Sequence, residues 1–334
     1  MKAPNIMSNP AFVLRVSLFI LLGLGASSIV GFEQENASEL TFESLVRGIK
    51  RSRMSLRTGE FIANGVKSVK STRSEYSGSA RIRGVFDYRE GLLRFDREEI
   101  QRRYTGREDD STFKDEDIGT NLIETQDHLF VYNYGSTLPT NAIHSWIDRQ
   151  RSSRKPRVNL VPLDFRCVGI CQSRILFSGC SFEKVIKHLE TTKPNEVMHE
   201  TDSVYRLHWS FRDMMQRDVW IDTSRGFTPT KMRVEQRSNP DRDWHTIELT
   251  ELSWDQFDGV WVLTSMKLED RHLSLPDEPP SVLGKLTYRY KFEWVSVNPE
   301  STDKRRFTYG DFDAPDGTII WDWSSGAPVF KRWE

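Results

Sequence analysis

Gly284-Lys-Leu-Thr-Tyr-Arg-Tyr-Lys-Phe-Glu-Trp-Val-Ser-Val297 is the stretch from which the fold can be read. From Leu286 onward every second residue is large and apolar: Leu286, Tyr288, Tyr290, Phe292 and Trp294. Thr287, Arg289, Lys291 and Glu293 fill the alternate positions. A period of two places those sets on opposite faces of a strand, one buried and one wet. Burial on one face favours an antiparallel sheet, because parallel sheets are covered on both. At Val295 and Val297 the apolar parity flips, as a β-bulge produces.

Outward from that strand the texture repeats. Tyr205, Leu207, Trp209 and Phe211 alternate over 204–211, and strand-like runs follow at 218–222, 228–236, 244–254 and 259–269. Ser224-Arg-Gly226, Asn239-Pro240 and Asp258-Gly259 separate them as turns, and Asp258-Gly259 is the strongest hairpin signal in the chain. Earlier strands are predicted at 60–70, 77–88, 92–96, 121–124 and 128–132. Arg107 to Gly119 reads as a solvated acidic loop, without the Gly and closing Glu of an EF-hand loop.

Two helices are predicted. Thr41 caps one whose stripe is Phe42, Leu45, Val46 and Ile49, with Arg47, Lys50, Arg51 and Arg53 on a solvated face. Ser181 caps the other, with Phe182, Val185, Ile186 and Leu189 on its stripe. Many strands and few helices give an α+β architecture: a large antiparallel sheet with a few helices on one side of it.

The chain has 334 residues, 37% hydrophobic and 28% charged, which excludes global disorder. Net charge is −1, so no bulk electrostatic pull toward nucleic acid exists. Lys2 and Arg15 precede an apolar run from Val16 to Ala26, followed by small residues. That pattern predicts a signal peptide over 1–31 and an exported chain, periplasmic or extracellular, with an uncleaved N-terminal anchor as the alternative. Residues 32–334 then form a single domain with an irregular insertion at about 135–180, whose centre, 148–157, is basic. Cys167, Cys171 and Cys180 lie in that insertion; in an exported chain one local disulfide among them, with no pair assigned, is favoured over zinc. No His-Glu-x-x-His, Gly-x-Ser-x-Gly or P-loop pattern occurs, and His208 reads as a surface residue. No catalytic residue, metal ligand or cofactor is assigned.

Three local stretches resemble the periplasmic lipoprotein-carrier (LolA-like) superfamily. Ser79 to Asp96 is similar to its hairpin, with Glu90-Gly91 where Pro is usual. Gln126 to Asn133 resembles its Asp-Gly-x-x-Leu-x-x-Tyr pattern, with His128 in place of Gly. Phe312, Pro315 and Gly317 resemble its closing Phe-x-x-Pro-x-Gly stretch. The resemblance implies a half-barrel with helices over an apolar concavity, a non-enzymatic carrier of lipid or lipoprotein acyl chains, and transient membrane association. On that reading Tyr288, Tyr290, Phe292 and Trp294 face the apolar ligand; the alternative for these aromatics is packing on the protein's own helices. Alternative functions are an envelope structural or regulatory protein that meets a protein partner, and a hydrolase whose site assembles only on folding.

Overall fold

The computed structural model describes residues 40–70, 75–104, 113–126, 128–134, 142–147, 164–170, 181–237, 239–271, 285–312, 314, 316, 318–322 and 329–332. The fold belongs to the compact unit Thr41–Glu334. The predicted signal segment, Cys171, Cys180, Pro315 and Gly317 lie outside the described residues.

Helix α1 (Phe42–Met54) opens at Thr41, whose hydroxyl accepts from the Ser44 amide, and its predicted stripe is buried. The N-terminal half of the sheet is β1 (Thr58–Lys70), β2 (Glu75–Asp87), β3 (Leu92–Tyr104), β4 (Phe113–Glu124), β5 (His128–Tyr134) and β6 (Ala142–Ile147). A 3-10 turn, Phe165–Cys167, and helix α2 (Phe182–Thr191) follow, the helix capped by Ser181 as predicted. The second half is β7 (Glu196–Thr201), β8 (Val204–Phe211), β9 (Met215–Asp222), β10 (Thr228–Gln236), β11 (His245–Phe257), β12 (Val260–Arg271) and β13 (Lys285–Val297). Two 3-10 turns over Lys304–Asp311 lead to β14 (Ile319–Asp322) and β15 (Val329–Arg332).

All fifteen strands join one curved, unclosed sheet in the order β15-β14-β6-β5-β4-β3-β2-β1-β13-β12-β11-β10-β9-β8-β7. The pairing is antiparallel throughout, except that β14 runs parallel to β6. The quoted stretch, β13, is the seam: it pairs with β1 on one side and β12 on the other. Its parity flip is a bulge. Gly59 faces Val297 and Phe61 faces Trp294, so Val295 is left over, 57% exposed, and Val297 returns to the buried face. Asp258 and Gly259 both take positive φ, the type I′ geometry that joins β11 to β12.

Three expectations are corrected. Residues 113–119 are strand, not acidic loop: β4 pairs along β3 with Asp115 opposite Arg102, a cross-strand partner that a composition reading does not contain. The irregular insertion contains β6 at 142–147, held by β5, the strand before it, and by β14, which is distant in sequence. Arg53 lies on no solvated face: it is 1% exposed. It follows Ile49 by four, so helical spacing carries the apolar stripe onto its long aliphatic stem.

Candidate functional site

Strand register defines an inner face, the one on which both helices lie. Tyr288, Tyr290, Phe292 and Trp294 of β13 stand opposite Lys67, Gly65, Ala63 and Phe61 of β1. Beyond β1 come Ala80, Ile82 and Gly84 of β2, then Glu99, Arg97 and Phe95 of β3. On the far side the face continues through Met266 and Leu268 of β12 to Leu252 and Trp254 of β11. Trp209 of β8 donates its indole N–H to the Thr192 carbonyl just past α2, which ties that helix to the same face.

The middle of this face is an aromatic floor. Phe61 lies 5.5 Å from Phe292 and 5.3 Å from Trp294, centroid to centroid. Tyr290 and Phe292 are buried, while Tyr288 and Trp294 are partly buried. Small residues make room above the floor. Gly84 faces Phe61, and a Cβ there would stand 2.2 Å from the Phe61 ring.

The floor is covered by Asp164–Ile170, a part of the insertion whose role the sequence reading did not recognise. Phe165 drops its ring onto Phe61 at 4.3 Å in an edge geometry, with Phe95 at 6.3 Å and Phe292 and Phe86 at 6.4 Å. Its backbone N–H donates to the Tyr88 hydroxyl at 2.9 Å, and burial raises the Tyr88 pKa well above its usual value. Asp164 caps the turn, accepts from the Arg166 guanidinium at 2.6 Å, and accepts the Phe182 amide at 3.3 Å. Arg166 stacks on Tyr88 at 4.1 Å. Gly169, at φ +79°, lies so close to Leu252 and Pro229 that a side chain would collide with both. Phe165, Cys167, Val168 and Ile170 form a short apolar cluster beyond the basic stretch 148–157, the signal that could have marked this segment.

One end of the inner face is charged, against the expectation that charges sit outside. Lys67 donates to Glu99 at 2.8 Å, and both are nearly buried. Arg97 bonds Glu99 and donates to the Tyr288 hydroxyl at 2.9 Å. Tyr288 stacks on Tyr290 at 6.0 Å. Burial raises the pKa of both phenols, so both stay neutral donors at physiological pH. The four predicted aromatics therefore divide: Tyr288 and Tyr290 adjoin the ionic cluster, while Phe292 and Trp294 belong to the floor.

At the helix end, Arg53 lays its guanidinium over Trp254 at 3.8 Å. Its Nε and Nη2 are buried with no hydrogen-bond partner. Loss of water pulls its pKa down to about 9, only partly opposed by the nearby Cys167 sulfur. Cys167 is itself buried.

The outer face carries a second apolar cluster: Val85, Ile123, Phe130, Tyr132, Phe307, Phe312 and Ile320. The C-terminal turns seal it, and they are pinned by charge. Arg94 bonds Asp96 at 2.7 Å, Asp311, and the Arg306 carbonyl at 3.2 Å. Arg306 grips Glu60 at 2.7 and 2.9 Å, and the Arg306 and Arg83 bonds hold the Glu60 carboxyl below its usual pKa against burial. Further along this face His208 is half-buried, bonding Asp218 at 2.9 Å, and Asp218 also accepts from Arg233 at 2.7 Å. A groove of about 560 Å³ opens between β1 and β4, with Asn64, Arg81, Glu98 and Asp117 in its wall beside Ala80 and Ile118. Among the described residues no group of three His, Cys, Asp or Glu side chains could hold a metal ion. Among them, too, no helix is long and apolar enough to cross a membrane.

No family model and no curated protein matches the chain. Among solved structures the chain is similar to a domain assigned to outer-membrane lipoprotein sorting from Vibrio parahaemolyticus, at 12% identity and TM-score 0.45, covering 81% of this chain and 99% of that one. It is also similar to a LolA superfamily protein from Nitrosomonas europaea, at 12% identity and TM-score 0.40, over 81% and 99% of the two chains. A DUF1329 family protein from Desulfovibrio piger matches at 10% identity and TM-score 0.40, over 81% and 98%.

Proposed function

We propose that this chain is an exported, non-enzymatic carrier that holds an acyl chain, free or on an envelope lipoprotein, on the inner face of its sheet. The observation that carries this reading is the seat of Phe165. An aromatic floor built from four strands is covered there by one side chain on a short segment, not by a packed helix. A flexible hydrocarbon fits the same surface.

Magnitudes set the kind of ligand. Unseating a buried Phe forfeits roughly 3–5 kcal/mol. Each methylene buried in its place returns about 0.8 kcal/mol. Chains of up to about six carbons would therefore leave Phe165 in place, whereas long acyl chains would displace it. The test is native mass spectrometry and solvent extraction of the mature protein, followed by titration with fatty acids of rising length. The expected result is about one co-purified or added acyl chain per protein, with binding that switches on at intermediate length. Lipid-free protein that also takes up no added long chain would sink the proposal.

A further inference from the structure

An arginine that is 1% exposed, with two donors unmatched, is the least satisfied group in the described molecule. Arg53 shows no carboxylate partner, and its cover is the Trp254 ring and the segment that carries Cys167. Stacking on an indole compensates a buried guanidinium only in part, because a ring quadrupole is a weaker partner than an anion. The two unmatched donors are Nε and Nη2. They lie on one edge of the guanidinium plane, the edge that binds a carboxylate through two parallel hydrogen bonds.

The surroundings say what such an anion would be attached to. Trp254 pairs across β11 and β12 with Leu263, whose carbonyl accepts from the Trp294 indole at 2.8 Å. Trp294 meets Phe61, where Phe165 is seated. From the arginine to that seat the path crosses three strand spacings, about 14 Å, over apolar side chains. One segment covers both ends, since Cys167 is two residues beyond Phe165. A ligand that displaces this segment gains the aromatic floor and meets the guanidinium edge together.

We propose that Arg53 is the headgroup site of the inner face, and that the ligand it selects is a long acyl chain ending in a carboxylate. This rests on the carrier reading given above. A monoanion neutralises the Arg53 charge, whereas an ester or alcohol head leaves it unpaired.

The experiment is equilibrium dialysis of the full mature chain with palmitate and, separately, with monopalmitoylglycerol, which has the same chain and an uncharged head. Wild type is expected to bind palmitate about tenfold or more tightly, as a charge-assisted bidentate contact implies. Arg53→Met should bring the two ligands to near equality while leaving monopalmitoylglycerol binding intact. Arg53→Lys, which keeps charge but lacks the two-donor edge, should retain an intermediate preference. A purely structural role for Arg53 would instead weaken both ligands alike in the Met variant. That result, or equal binding of the two ligands to wild type, overturns the headgroup assignment while the carrier reading survives. Binding of neither ligand overturns both.

Discussion

Phe165 and Glu60 show how single side chains divide the work between the two faces. Phe165 is a core residue by burial and a plug by position, and one substitution separates those roles. Phe165→Ala should cost about 3–5 kcal/mol in urea unfolding, because it empties a close-packed aromatic seat. The same variant should bind long acyl chains more tightly than wild type, because no ring remains to be displaced. Loss of stability without any gain in binding would make Phe165 an ordinary core residue. Glu60 belongs to the outer face, and its behaviour is set by pH. Its pKa is lowered in the folded protein by the Arg306 and Arg83 hydrogen bonds. The stability it contributes is therefore present above the unfolded carboxyl pKa, near 4.3, and is lost as pH falls through the lower folded value. Glu60→Gln should lose on the order of 1–2 kcal/mol at pH 7 and progressively less as pH falls below about 4, read as the gap between the two unfolding curves. An equal gap across that range would show that the charge is not what matters.

Individual strands and helices follow their sequence patterns closely where one periodicity governs. Helix α1 and α2 each bury the stripe that helical spacing picks out, and β13 buries the alternate set. Periodicity reports which side of an element is apolar, not what lies against it. Charge alone places Arg53 in water, while its position on the stripe delivers it to the interior. Composition alone makes 113–119 a loop, while pairing with β3 makes it a strand. Within β2, Gly84 is demanded by the ring that lies across it. Gly84→Ala should displace Phe61 and lower stability by about 1–3 kcal/mol, measurable as a fall in Tm, with the Phe165 seat disturbed as well. A neutral result would mean that the Phe61 ring is free to shift.

For the whole molecule, the sheet is covered on both faces where β2 and β3 run, by different parts of the chain. Asp164–Ile170 closes the inner floor, and the turns over Lys304–Asp311 close the outer cluster. Phe312→Ala opens the outer seal without touching the inner face. It should cost about 3–4 kcal/mol in stability and leave acyl-chain binding unchanged at temperatures where the protein stays folded. Coupled loss of both would place the ligand on the outer side and refute the inner-face assignment.

Alternation along the chain was enough to settle the class of fold, the one-sided burial of β13, both helix stripes, and the tight turn at Asp258-Gly259. These are local properties: the period of side-chain direction and the sign of φ follow from neighbouring residues alone. Which surfaces meet is a different kind of fact. The arrival of Phe165 on a floor assembled from β1, β2, β3 and β13, the Lys67–Glu99–Arg97 cluster on the inner face, and the sealing of the outer face by Phe307 and Phe312 all join residues far apart in sequence. No periodicity encodes such meetings. They depend on how the sheet curves and on which segments remain to cover it, and so they become visible only once the chain has folded.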